Sequence, residues 1–159
     1  MIMSAATPFG VDTIQEYLPH RRPMLMLDRV TKFDGEAIVT EIDTQPDAFY
    51  FDGHFPNNPI MPGVVIMECI GQTGALLAAL RGDFDHKDHL LAFTGFEKTR
   101  FRKFVKPNET LCVYCTLVKK RRHLYKFSGR AEVNGELVML LEFSAALTSK
   151  NDDSNRGLK

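Results

Sequence analysis

A histidine and a glutamate stand fourteen residues apart in FDGHFPNNPIMPGVVIMECIGQ, residues 51–72. His54 lies in a proline- and asparagine-rich stretch, and Glu68 lies in the most apolar run of the chain. Histidine, with an unperturbed pKa of about 6.5, can take a proton near neutral pH. A carboxylate in apolar surroundings is costly to leave charged and unpaired, so it must find a partner, take up a proton or face a cavity. Gln72 is four residues on, shares the same helical face and can hydrogen-bond Glu68. That pairing alone would make Glu68 a satisfied buried group, and His54 alone would be a loop histidine with a local hydrogen bond. Pro62-Gly63 adds a third element. Proline suits the first turn of a helix, and glycine leaves its amide unscreened. The first amides of a helix, here Gly63 and Val64, have no internal acceptor and sit at the positive end of the dipole. A base, bare amides for a developing oxyanion and a carboxylate on one pocket suit proton removal beside a carbonyl.

The elements that must carry these groups are legible in outline. Residues 64–80 read as one long helix, apolar on most sides and suited to burial. Asp12 reads as the N-cap of a short helix ending near Pro19. Strands are predicted at 25–31, 36–42, 90–102, 110–119, 124–133 and 136–147, with hairpin signals at Asp34-Gly35 and Asn134-Gly135. Antiparallel strands with one buried face and a helix needing burial predict an α+β fold, a curved antiparallel sheet wrapped around one long central apolar helix. Such a sheet leaves an open edge that a second copy would cover. Gly71, Gly74, Ala75 and Ala78 leave room for close approach along the helix. The expected organisation is an N-terminal extension with the short helix at 1–17, a single domain at 18–148 and a polar tail at 149–159.

Composition narrows the classes. A chain of 159 residues with 44% hydrophobic and 25% charged residues fits one globular domain. Twenty basic residues balance twenty acidic ones, so no global field points to nucleic acid. Three cysteines, Cys69, Cys112 and Cys115, two of them in a strand pattern, suggest reduced thiols and a cytoplasmic protein. Cys112 and Cys115 are three apart, so a strand turns them to opposite faces, against a metal or redox pair. The first ten residues lack a secretory pattern, and no membrane span is expected, since residues 64–80 hold Glu68, Gln72 and two glycines. Asp83, Asp85, His86, Asp88 and His89 read as a solvated loop rather than a metal site, and no metal or cofactor is expected.

GHFPNNPIMPGVVIMECIGQ resembles the signature of the 3-hydroxyacyl-acyl carrier protein dehydratases of fatty acid synthesis. The pattern runs G-H-F-P-x-x-P-x-M-P-G-V-x-x-x-E-x-x-x-Q, met by Gly53, His54, Phe55, Pro56, Pro59, Met61, Pro62, Gly63, Val64, Glu68 and Gln72. LPHRRPMLMLDRV and FEKTRFRKFVKPNE are similar to flanking elements of the same family. The resemblance implies a hotdog fold, dehydration of 3-hydroxyacyl thioesters to trans-2-enoyl thioesters, and no cofactor. It implies His54 and Glu68 as a catalytic pair drawn from different subunits of a homodimer, in some relatives assembled to a hexamer. Gly63 and Val64 would bind the thioester oxygen, and Gln72 would support Glu68. A carboxyl in apolar surroundings favours its neutral form and can donate to a departing hydroxyl; ionised, it would orient that hydroxyl. Phe55, Phe96, Phe101 and Phe104 are candidates for the acyl tunnel or its gate. The acyl carrier protein is acidic, which makes Arg100, Arg102, Lys103, Lys120 and Arg121 docking candidates.

Five positions depart from the family pattern: Arg22, Asn57, Cys69, Gly71 and Asn108. None removes a proposed catalytic group, and together they leave chain-length preference and pathway open, including polyketide or polyene synthesis. Two other readings use the same fold: an acyl-thioester hydrolase with Glu68 activating water, and a non-catalytic acyl-binding subunit. An acyl-responsive DNA-binding regulator would need an added module, for which the residues before Leu18 are too few.

Overall fold

The computed structural model describes residues 6–151. Seven strands form one antiparallel sheet: β1 (Phe9–Gly10), β2 (Arg29–Phe33), β3 (Ala37–Asp43), β4 (His89–Phe101), β5 (Thr110–Arg121), β6 (Leu124–Val133) and β7 (Glu136–Ser149). Their order across the sheet is β1-β2-β3-β5-β6-β7-β4. A short helix α1 (Val11–Tyr17), a long helix α2 (Gly63–Leu80) and one 3-10 turn (Phe49–Phe51) complete the regular structure of the described residues.

Helix α2 touches β3, β5, β6 and β4. Those strands span four spacings of the sheet, about 19 Å at about 4.8 Å each. A helix with its side chains is only about 10–12 Å thick. The sheet must therefore curl around α2, as the sequence pattern predicts. By length and composition α2 is apolar enough to cross a membrane, but 72% of it is buried inside this protein. Its glycines let the aromatic residues of the sheet reach its backbone. A Cβ at Gly74 would lie 2.6 Å from Phe143, and one at Gly71 would lie 1.9 Å from Phe93.

The expected strand at 25–31 starts later, at Arg29. The reason is a side chain distant in sequence: Met26 N–H donates to Gln72 Oε1 at 2.9 Å, and Met24 C=O accepts from Gln72 Nε2 at 2.7 Å. Backbone groups that a strand would pair are spent on α2, while Leu25 and Leu27 stay fully buried. Arg22 holds the same segment through Leu25 O (2.5 Å) and Asp28 (2.5 Å).

Helix α1 begins at Val11 with Gly10 as its cap, so Asp12 sits in the first turn rather than capping it. The chain enters α1 directly from β1, which pairs Phe9 with Val30, and Ile14 reaches the core. At the other end, β7 runs to Ser149 and Lys150 N–H donates to Asp88 O at 2.9 Å. The rest of the expected polar tail, 152–159, lies outside the described residues.

Candidate active site

The loop before α2 fixes His54 by backbone bonds alone. Gly53 takes a positive φ of 73°, and Asn57 takes φ 60° inside a turn closed by reciprocal Phe55 and Asn58 bonds of 2.9 Å. Asparagine tolerates this left-handed conformation, which accounts for Asn57 where glycine is common. Asn108, at φ 64°, is explained the same way. Ile60 N–H donates to His54 O at 2.8 Å, and His54 Nδ1 lies 2.7 Å from Ile60 O. A carbonyl only accepts, so Nδ1 carries the proton and the neutral ring keeps its lone pair on Nε2. This arrangement leaves Nε2 chemically able to accept a proton.

His54 lines a cavity of about 590 Å³ together with Ile60, Met61, Gly63, Val64 and Phe101. By position in the helix, the amides of Gly63 and Val64 have no carbonyl one turn back inside α2 to bond. Phe101 lies across Gly63: a Cβ there would stand 2.3 Å from the ring. Arg102, Lys103 and Phe104 stand at the rim of the same cavity. Phe55 stacks on His54 with ring centres 4.1 Å apart and is half exposed. Val64 and Phe104 are more exposed still, at 70% and 74%, so the rim carries exposed apolar groups beside its two cations.

Glu68 lines a different cavity, of about 280 Å³, with His20, Gly71, Gln72 and Phe93 among its walls. Gln72 is buried and saturated: besides its bonds to Met24 and Met26, its Nε2 donates to Glu68 Oε1 at 2.8 Å. The carboxylate itself is 24% exposed, so it faces the cavity rather than sealed core. One chain therefore does not bring His54 and Glu68 to a common cavity.

His20 was not among the candidates read from sequence. Its Nε2 lies 3.7 Å from Glu68 Oε1. Its Nδ1 is buried without a hydrogen-bond partner among the described residues. Burial lowers the His20 pKa; Glu68 opposes that shift and Arg21 reinforces it. Phe93 was missed too, and it walls the Glu68 cavity, whereas Phe96 packs behind it at 4.9 Å between ring centres. Local spacing places neither His20 nor Phe93 beside Glu68; only the fold does.

The basic candidates fall into two places. Arg102 and Lys103 border the His54 cavity, Lys103 paired with Glu136, while Arg100 donates to Thr99 O. Lys120 is held 3.4 Å from Asp83, and Arg121 ends β5, exposed. The loop of Asp and His residues is used structurally. Asp83 bonds Arg81 at 3.0 Å, Asp85 accepts from Lys87 N–H, and His86 packs 4.8 Å from the Tyr17 ring. Cys115 points into the core and Cys112 to the other face, both free, and burial raises the pKa of each.

A long buried helix wrapped by an antiparallel sheet is the hotdog fold. Solved structures agree on the fold. A dehydratase heterocomplex from Xenorhabdus doucetiae aligns with a TM-score of 0.75 at 16% identity, covering 86% of this chain and 91% of that one. A mutant thioesterase from Pseudomonas aeruginosa aligns with a TM-score of 0.68 at 9% identity, covering 94% and 99%. Residues 18–142 match the FabA-like domain, and the chain belongs to that family. Among curated relatives, a protein named 3-hydroxyacyl-[acyl-carrier-protein] dehydratase FabZ from Nitratidesulfovibrio vulgaris is 39% identical over 96% of this chain and 99% of its own length. Another FabZ, from Magnetococcus marinus, is 38% identical over 93% and 97%.

Proposed function

We propose that this protein dehydrates 3-hydroxyacyl thioesters carried on acyl carrier protein to trans-2-enoyl thioesters, in fatty acid or related polyketide or polyene synthesis. The observation that carries the reading is the His54 tautomer. Nδ1–H is committed to the Ile60 carbonyl, and Nε2 has no hydrogen-bond partner among the described residues, in a residue that lines one cavity with Gly63 and Val64.

In this reading His54 Nε2 takes the α-proton next to the thioester. Negative charge grows on the thioester oxygen and is met by the Gly63 amide, with the Val64 amide beside it. The C–O bond at the β-carbon then breaks, and the electron pair of the broken C–H bond becomes the new double bond. The hydroxyl leaves as water with the C–O electron pair and one proton, given by Glu68 or, where Glu68 only orients the hydroxyl, returned by His54; Gln72 holds the carboxylate in place.

Glu68 reaches the reaction from a second copy of the chain. Two features support this. His54 and Glu68 line separate cavities in one chain. The His54 cavity also carries an exposed apolar rim, Phe55, Val64, Phe101 and Phe104, of the kind a partner covers. The outer edge of β4 offers an antiparallel pairing site for the same partner. Further assembly to a hexamer, a cytoplasmic location and docking of an acidic carrier at Arg102 and Lys103 belong to the same reading.

The test is mass spectrometry of 3-hydroxyacyl carrier protein incubated with the enzyme, beside a His54→Ala control. Loss of one water from the acyl group in the wild type alone is the expected result. Release of the free carrier thiol would instead make the protein a thioester hydrolase, and an intact bound acyl carrier would make it a binding subunit.

A further inference from the structure

The wall of the Glu68 cavity contains a feature unrelated to proton transfer. Gly71 stands between Glu68 and Gln72 on the cavity side of α2. A Cβ at this position would fall 1.9 Å from Phe93 Cζ and 2.4 Å from Cε1. No side chain fits there while the ring stays. The Phe93 ring is thus seated edge-on in a notch that exists because residue 71 is glycine.

The ring is backed on its other sides. Phe143 meets it edge to face at 5.7 Å and 89°, and Phe96 packs at 4.9 Å. Phe143 itself presses toward Gly74, one turn along α2. The pairing of β4 with β7 shifts register between Phe93 and Gly95, so the strand is bent where the ring enters. With aromatic rings behind it and helix backbone in front, the open direction for Phe93 is the cavity beside Glu68. Beyond His20, Glu68 and Gln72 the walls of that cavity are apolar, among them Leu91, Phe127 and Ala145.

We propose that the Gly71–Phe93 pair sets the acyl chain length this protein accepts. The proposal rests on the reading of the site as an acyl-thioester site. With the ring in the notch, the cavity past Glu68 is open to the tail of the acyl chain. A larger residue at 71 drives the ring into that space and shortens the accepted chain. A smaller residue at 93 leaves the notch empty and lengthens it. Both residues act on specificity, and neither touches the reacting atoms.

The experiment measures kcat/KM for 3-hydroxyacyl carrier proteins of increasing length with the wild type, Gly71→Ala and Phe93→Leu. One methylene in a hydrophobic pocket changes selectivity by roughly 10–200-fold. The long-to-short ratio should fall by about tenfold or more in Gly71→Ala and rise in Phe93→Leu. Affinities of saturated acyl-pantetheine thioesters for the same three proteins, which need no turnover, give a second reading of length preference. If the wild type binds these thioesters but dehydrates nothing, the proposed reaction fails, and the affinity series still decides the notch. A length profile that is unchanged in both variants, or no acyl binding at any length, overturns the proposal. Should Gly71→Ala not fold, Phe93→Leu carries the test alone.

Discussion

The two cavities along α2 hold their key residues by opposite means. Around His54 the hydrogen bonds are all to backbone: a turn at Phe55–Asn58 and a carbonyl from Ile60, beside the bare start of the helix. Its rim is open, with Val64 and Phe104 largely exposed near Arg102 and Lys103. Glu68 is held by a side chain, Gln72, which also bonds the backbone of Met24 and Met26. In the shared site proposed above, the carboxylate is held by Gln72 within its own chain, and the exposed apolar groups around His54 are the surface a second copy would cover.

Three substitutions probe this contrast. The largest effect is on activity. His54→Ala should lower kcat by about 10²–10⁴-fold, the range for loss of a positioned base. It should leave the melting temperature nearly unchanged, because His54 contributes only one side-chain bond to the fold. A large drop in melting temperature would mean the loop depends on the ring, against the contrast drawn above.

Gln72→Ala comes next and should reverse the pattern. It leaves Met26 N–H and Met24 C=O without partners and frees Glu68. Met26 N–H is buried, whereas Met24 is half exposed; one buried orphan costs about 1–3 kcal/mol, so urea denaturation should show a loss of that order, with activity reduced as well. A variant of wild-type stability would show that the segment before β2 is held by Arg22 and packing instead.

The smallest effect is on pH dependence. Burial depresses the His20 pKa below 6.5, opposed by Glu68 and reinforced by Arg21. The unfolded chain then binds more protons at this site as pH falls below about 6.5. The stability held by neutral His20 is fully present above that pH and is lost as pH falls through the lower folded-state value. Denaturation from about pH 7.5 to pH 5.5 should show this slope in the wild type, and it should be weaker in His20→Gln. An equal slope in both proteins would remove His20 as its source.

Much of the fold was legible because it is local. The apolar run at 64–80, the alternating strands and the Asn134-Gly135 turn each declare themselves within a few residues. The motif also named His54, Gly63, Glu68 and Gln72. What sequence did not yield depends on contacts between distant segments. Residues 25–28 look like strand, yet Met26 N–H goes to Gln72, 46 positions away, and the carbonyls of Leu25 and Leu27 accept from Arg22. His20 reaches Glu68, and Phe93 reaches Gly71, only because the sheet curls around α2. Helical spacing did not show the separation of His54 from Glu68, since it says which face a residue takes but not which cavity that face meets; only the family resemblance implied that the two come from different subunits.

The shared site is the central claim, and mixing two inactive variants tests it most directly. His54→Ala and Glu68→Ala are unfolded together, refolded as a mixture and assayed for dehydration. If each site takes His54 from one chain and Glu68 from another, half of randomly formed dimers are mixed and each holds one intact site. Activity should then return to about one quarter of the wild-type value. If both residues act within one chain, no mixed dimer contains an intact site, and activity that stays at the level of the separate variants would contradict the account.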